Sequence, residues 1–392
     1  MITVSQALEH LFHLTAQLPH EMVDLRDAAG RMLAKPLAAT RSQPPFAASS
    51  MDGYAVKGVE ADLYAQFKVV GEAAAGHSWK GIIKAGHAVR IFTGAPVPDG
   101  VDKVIIQENV EKSGSVITVI DSSNLKSNIR PAGVDFEQGQ ILLTPPCCLS
   151  SGDIALLAAM NHGTVPVIKK PVIALIATGD ELVMPGESPH QDQIIASNNF
   201  GLAAMFEAMG ATVRVLPIAR DTNSSLKSVF KLTAGADLII TIGGASVGDH
   251  DLVANVAAEL GMQQAFYKVA MRPGKPLMAG RMNGIPMVGL PGNPVSAMVC
   301  GTVFIKPMLL SMMGLPQLPA PRIKVLLASD LIANGPREHY MRAIIKDGKI
   351  TDAGLQDSSL LTVLARSNAL LVRPPHDPFQ RKGTMMDAIT LD

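Results

Sequence analysis

The chain has 392 residues, 47% of them hydrophobic and only 17% charged, and Lys plus Arg equals Asp plus Glu at 34 each. A single core rarely grows past ~250–300 residues, so two to four domains are expected, and the balanced charge leaves no basic excess for nucleic acid. Three cysteines, two of them the adjacent Cys147 and Cys148, make neither a disulfide framework nor a metal-ligand pattern. The N-terminus reads as no leader peptide, and no apolar run approaches the ~20 residues of a membrane span, which predicts a soluble cytoplasmic protein.

In chain order, residues 3–18 are expected to be helical and Leu25–Leu33 helical or irregular. Pro44–Ala55 carries two prolines and an Asp-Gly pair, so an ordered loop is expected. Asp52 there either caps a turn or reaches a ligand. From Phe67 to Leu143 short strands alternate with turns (Phe67–Gly71, His87–Ile91, Lys103–Ile106, Ser115–Val119), the mark of a β-rich module. Asn128–Asp135 follows as a polar loop in which Arg130 either clamps an oxyanion or pairs with Asp135. A helix over Gly152–Met160 ends at Asn161-His162-Gly163, where His162 reads as a C-cap.

Val172–Ala177, Leu238–Ile242 and Pro286–Leu290 are buried-type strands followed by turns and helices, which predicts a parallel sheet covered on both faces. Helices are expected over Phe200–Met209, Ser224–Leu232, Val253–Leu260 and Val295–Leu310. A Pro-rich linker at Leu315–Pro321 precedes a small β-rich tail. Ligands of such sheets sit beyond the carboxyl ends of the strands. Those ends carry Asp180, Glu181, Asp221, Asp249 and Asp251, an acidic rim suited to Mg²⁺ and phosphate. Capping of helices by Asp180 and Asp249 is the alternative. Lys268, Arg272 and Lys275 are placed across from the rim, where they would offset phosphate charge. Gly243-Gly244 and Gly289-Leu290-Pro291-Gly292 allow close approach of a ligand to the backbone. No Walker, Rossmann or nucleophile-elbow pattern occurs.

Seven motifs then carry a resemblance: PPFAASSMDGYAV at Pro44–Val56, RIFTGAPVPDGVD at Arg90–Asp102, NIRPAGVD at Asn128–Asp135, ATGDEL at Ala177–Leu182, GGASVGDHD at Gly243–Asp251, RPGKP at Arg272–Pro276 and GLPGNPVSA at Gly289–Ala297. In this order they resemble the molybdopterin molybdenumtransferase family and the C-terminal domain of gephyrin. The resemblance implies a multidomain α/β fold. It comprises a split domain I (1–23 and 140–170), an inserted β-rich domain II (24–139), a three-layer α/β molybdopterin-binding domain III (171–314) and a β-barrel-like domain IV (318–392).

It further implies a homodimer that inserts molybdate into adenylylated molybdopterin with Mg²⁺-dependent release of AMP. Asp52, Asp135, Glu181, Asp221, Asp251, Lys268 and Lys275 match the family's catalytic positions, and Glu181, Asp221 and Asp52 its metal positions. Thr178, Gly179, Asp180, Ser197, Asn198, Gly243, Gly244, Ser246, Asp249, Arg272, Pro291, Asn293, Pro294, Arg130, Arg337 and Ser359 match ligand-binding positions. Asp52 and Asp135 would act across the dimer. A molybdopterin adenylyltransferase and molybdoenzymes or cofactor-delivery proteins are the implied partners, with neither nucleic acid nor membrane. Ala47 and Thr222 stand where relatives often carry acids, which would weaken cation or molybdate handling. Competing readings are an adenylyltransferase, opposed by the MDGYA module and the tail, and a non-catalytic pterin-binding scaffold, opposed by the retained acids and bases.

Overall fold

The computed structural model describes residues 1–123, 126–244 and 252–391. The chain forms two compact units, one of Met22–Val167 and one of Met1–Glu21 with Ile168–Asp392. Helix α1 (Val4–Leu14) opens the second unit and is shorter than the 3–18 expected. Thr3 and Gln6 form a capping box at its start, and Thr15 leaves helical geometry and donates its hydroxyl to the Phe12 carbonyl. Polar capping at both ends stops the helix before the apolar pattern does.

In Met22–Val167 the main sheet contains β1 (Gly53–Val56), β2 (Gln66–Ala73), β3 (His87–Ile91), β4 (Lys103–Ile106), β5 (Val110–Ser113) and β6 (Val116–Val119). The spatial order is β4-β1-β3-β2-β6-β5. Strand β1 lies inside what the sequence presents as a loop. Gly53 is not a turn residue: a Cβ there would lie 1.9 Å from the Ile105 carbonyl oxygen on β4. The Asp-Gly pair therefore marks a close approach of two backbones.

Helix α2 (Ser151–Ala159) closes this unit, capped at its start by Ser150 and Asp153. At its end Asn161 takes the left-handed conformation (φ 68), and the amides of Asn161 and His162 bond back to Ala158 and Leu157. That is the Schellman arrangement, so Asn161 rather than the His162 ring terminates the helix. The ring is used elsewhere: its Nε2–H donates to the Ala38 carbonyl at 2.9 Å.

The α/β part of the other unit contains β7 (Val172–Ala177), β8 (Thr212–Val215), β9 (Leu238–Ile242), β10 (Gln263–Tyr267), β11 (Met278–Met282) and β12 (Ile285–Leu290). Their order is β8-β7-β9-β12-β11-β10. The first four are parallel, whereas β11 runs antiparallel to both of its neighbours, β12 and the edge strand β10, which corrects the all-parallel expectation. The cause is local. Asn283 and Gly284 both have positive φ (49 and 84), so β11 and β12 are joined by a tight hairpin that cannot connect parallel strands.

Helices α3 (Asn198–Ala208) and α6 (Pro294–Met312) cover one face. Helices α4 (Asn223–Lys231) and α5 (Leu252–Glu259) cover the other, with Leu226, Val229, Phe230, Val253, Val256 and Ala257 packed on Ile176, Ile239 and Met287. This gives the three layers expected. Helix α6 runs 19 residues with a mean hydropathy of 1.6, so an apolar segment of membrane-spanning length does exist; 83% of its most apolar stretch is buried inside the protein, where it serves the core. A π-helical turn at Gly301–Ile305 interrupts it.

The tail closes into a barrel of β13 (Ile323–Leu327), β14 (Glu338–Lys346), β15 (Lys349–Asp352), β16 (Ala369–Arg373) and β17 (Met385–Thr390), in the order β14-β15-β13-β17-β16 and back to β14. Its wall holds a buried ion pair, Arg373 Nε to Asp377 Oδ2 at 2.8 Å, with side chains only 3% and 8% exposed. Arg373 also donates to the carbonyls of Ile332 and Pro378. Asp377→Ala would strand that guanidinium and is expected to cost about 3–5 kcal/mol in denaturant unfolding. A loss under about 1 kcal/mol would contradict the burial of the pair.

Candidate functional site

The parallel strands carry the chain from β7 outward to β8 and then back past β7 to β9, so the strand order reverses between β7 and β9. Such a reversal opens a crevice at the carboxyl ends, and a cavity of about 990 Å³ lies there. Thr178, directly after β7, is buried and bridges the two strands; its N–H and its hydroxyl both donate to the Ile242 carbonyl on β9, at 3.0 and 3.3 Å. On the β9 side Gly244 has φ +69, and a Cβ there would sit 2.1 Å from Val253. Only glycine lets the backbone line the crevice at that point.

The two loops bearing the rim acids are fixed by charged groups. Arg220 donates from Nη1 to the carbonyls of Gly179, Asp180 and Leu182 at 3.2, 3.1 and 2.9 Å, gathering the whole turn after β7. Asp180 accepts the Asp221 N–H at 3.0 Å, which ties that turn to the loop after β8. Asp180 is thus a loop clamp and caps no helix. Thr222 caps α4 by accepting the Ser225 N–H. The side chains of Glu181 and Asp221 make no hydrogen bond or ion pair with the described residues, and both face the cavity. Sequence reasoning did not find Arg220, because a guanidinium that binds only backbone carbonyls leaves no partner to read.

The remaining walls come from Ser197 and Asn198 at the start of α3 and from Pro291, Asn293 and Pro294 before α6. Asn198 donates to the Gly292 carbonyl at 2.7 Å, and Asn293 to the Ser358 hydroxyl at 2.9 Å. Ser359 also lines the cavity. Its N–H and hydroxyl both donate to Asp357, which holds that carboxyl below its usual range.

The cavity therefore gathers Thr178, Gly179, Glu181, Ser197, Asn198, Asp221, Gly243, Gly244, Pro291, Asn293, Pro294 and Ser359. The basic loop contributes Pro276 to the lining, but not Lys268, Arg272 or Lys275. Lys268 has positive φ (69) and its ammonium lies 4.7 Å from the Tyr267 ring centroid. Arg272 instead pairs in register with His339 on β14, and Arg337 donates to the Met271 carbonyl. Burial and then the charges of Arg272, Arg342, Arg373 and Arg337 push the His339 pKa down to about 4. Arg342, a fully buried residue the sequence reading passed over, donates to the Asp357 carbonyl at 2.8 Å and so supports the turn presenting Ser359. Its only signal was a basic residue inside an apolar strand. Ser246, Asp249 and Asp251 lie outside the described residues.

In the Met22–Val167 unit, Asp52 accepts both the N–H and the hydroxyl of Thr93 at 2.8 Å. These two bonds, with a smaller contribution from Arg90, hold its carboxyl below the usual range. Arg130 pairs through its backbone with Ala48, and no ion pair joins it to Asp135 among the described residues. Among the described residues no three acidic, His or Cys side chains form a metal cluster. Mg²⁺, however, commonly takes one or two carboxylates and completes its shell with water and substrate phosphate. Glu181 and Asp221, unpaired among the described residues and lining one cavity, fit that demand.

Comparison with known proteins places the chain in a family. Residues 2–161 match the MoeA N-terminal region (domain I and II), 174–311 the probable molybdopterin binding domain, and 324–391 the MoeA C-terminal region (domain IV). The chain is 34% identical over 385 residues to a molybdopterin molybdenumtransferase of Nostoc sp., covering 94% of this chain and 88% of that one. It is 32% identical over 387 residues to the enzyme of that name from Bacillus subtilis, covering 95% and 90%. The crystal structure of a molybdopterin biosynthesis MoeA protein from Pyrococcus horikoshii superposes with a TM-score of 0.88 at 27% identity, over 100% of this chain and 99% of that one.

Proposed function

The chain belongs to the MoeA family of molybdopterin molybdenumtransferases, and from that premise we propose that it transfers molybdate onto adenylylated molybdopterin and releases AMP. The observation that carries this reading is that two carboxylates unpaired among the described residues, Glu181 and Asp221, line one cavity with glycine backbone at the strand-order reversal. A cavity of about 990 Å³ is large enough for a pterin joined to a nucleotide through a pyrophosphate.

The chain's own groups supply placement. Arg220 and Asp180 lock the two acid-bearing loops before any ligand arrives, so Glu181 and Asp221 need little reorganisation on binding. These two residues would hold Mg²⁺, which when bound lends Lewis-acid charge to the phosphate oxygens. Gly243 and Gly244 let the backbone approach the ligand closely. A water oxygen bonds to one phosphorus of the phosphoanhydride as the bridging P–O bond breaks, so AMP leaves and molybdopterin keeps its own phosphate, while the two dithiolene thiols replace one oxide of molybdate, which departs with their two protons as water. Lys268, Arg272, Lys275 and Arg337 do not line the cavity, so their part would be a longer-range positive field that favours the anionic ligand. We also propose a cytoplasmic homodimer in which Asp52, Asp135 and Arg130 act from the second copy; the family resemblance supports this.

The test is to incubate the purified chain with adenylylated molybdopterin, molybdate and Mg²⁺, following AMP and the activation of a cofactor-free molybdoenzyme. Stoichiometric AMP together with activation is the expected result. AMP without activation would make the chain a hydrolase, and binding without either product would make it a scaffold.

A further inference from the structure

Among the residues around the cavity, Asn199 stands apart. It lies in the first turn of α3, is 1% exposed, and lines the cavity, yet among the described residues neither its amide oxygen nor its amide nitrogen has a hydrogen-bond partner. The preceding Asn198 spends its amide on the Gly292 carbonyl, so the two asparagines are not equivalent. A buried amide left unsatisfied costs stability, and asparagine is a poor choice for a helix on propensity alone. Capping does not account for it, because Ser197 occupies the cap position. What an asparagine offers at such a place is a planar edge with donors on one side and an acceptor on the other.

We infer that Asn199 is a binding residue that reads the edge of a planar heterocycle presenting an N–H donor beside an acceptor. This rests on the function proposed above and names the part of the substrate its amide meets. Adenine offers such an edge through its amino group and ring nitrogen, which asparagine pairs with bidentately. The lactam edge of a pterin offers the same pair of groups.

The experiment measures binding of adenylylated molybdopterin, AMP and 6-hydroxymethylpterin to the wild-type chain, Asn199→Leu and Asn199→Asp, with thermal melts of each protein. Asn199→Leu replaces an unpartnered amide by an apolar group of similar shape. It should melt no lower than wild type and bind adenylylated molybdopterin roughly ten- to a hundredfold more weakly. Asn199→Asp keeps the acceptor, loses the donor and should also weaken binding. A loss confined to AMP assigns the amide to the adenine edge, and one confined to the pterin assigns it to the lactam edge. Unchanged affinities in both variants would overturn the inference, as would a Leu variant that melts well below wild type, since the amide would then be structural. A wild-type chain that fails to bind adenylylated molybdopterin, but binds AMP or the pterin through Asn199, would sink the proposed function and spare this assignment.

Discussion

Glu181→Ala is expected to slow AMP release by roughly 10²–10³-fold, the range seen when one charge-stabilising group is removed from an active site, while the melting temperature stays in place. Stability should hold because the Glu181 side chain is exposed and makes no hydrogen bond or ion pair with the described residues. Only its backbone is used, the carbonyl accepting the Ile194 N–H. Arg220 grips the turn through main-chain carbonyls, so the loop keeps its shape in the variant. A carboxylate that supports nothing in the fold is free to serve a ligand. The measurement is single-turnover AMP release at several Mg²⁺ concentrations, and recovery at high Mg²⁺ would assign the loss to cation affinity. Unaltered turnover would remove Glu181 from the catalytic set. If the proposed dimer shares its sites, inactive Glu181→Ala and Asp52→Asn copies should regain activity when co-assembled, because one of the two sites is then whole.

The parts of the fold legible from sequence were those in which burial dictates composition. His87–Ile91, Lys103–Ile106 and Leu238–Ile242 read as strands because both faces are covered, and an apolar run with β-branched residues suits little else. Gln263–Tyr267 escaped notice because it is an edge strand with largely exposed residues, Gln-Gln-Ala-Phe-Tyr, and no alternation to read. Met278–Met282 escaped for a different reason: Ala, Gly and Arg have weak strand propensity, and the Asn283-Gly284 turn decides the pairing. That dipeptide was the available signal.

The site divided the same way. Thr178, Glu181 and Gly243 follow buried strands, whose apolar runs placed them at one end of the sheet, whereas Asp221 lies in the loop after the exposed edge strand β8. Arg220 and Asn199 were hidden because their roles depend on what the backbone around them does or leaves undone. Thr222 shows a further role that its position in the sequence did not reveal, since it caps a helix.

Gly53→Ala should unfold the main sheet of the Met22–Val167 unit, with a loss exceeding about 3 kcal/mol, the scale of severe overpacking. Gly53 pairs with Ile91 on one side and with Ile106 on the other, so β1 is an interior strand with no free edge toward which to move. The added methyl would meet the Ile105 carbonyl oxygen at 1.9 Å and its carbon at 2.9 Å, both backbone atoms that no rotamer change can clear. Strand separation would also break the Arg90 bond to the Gly53 carbonyl, and with it the stacking that holds Arg90 between Tyr54 and Phe92. The neighbouring Asp52→Asn provides the contrast. Its amide oxygen still accepts from Thr93, so the turn survives while the negative charge is lost. Urea unfolding should therefore leave Asp52→Asn near wild type and move Gly53→Ala to a much lower midpoint. If Gly53→Ala matched wild type, the approach of β1 to β4 would have to be looser than 1.9 Å implies, and the glycine would return to being a turn residue.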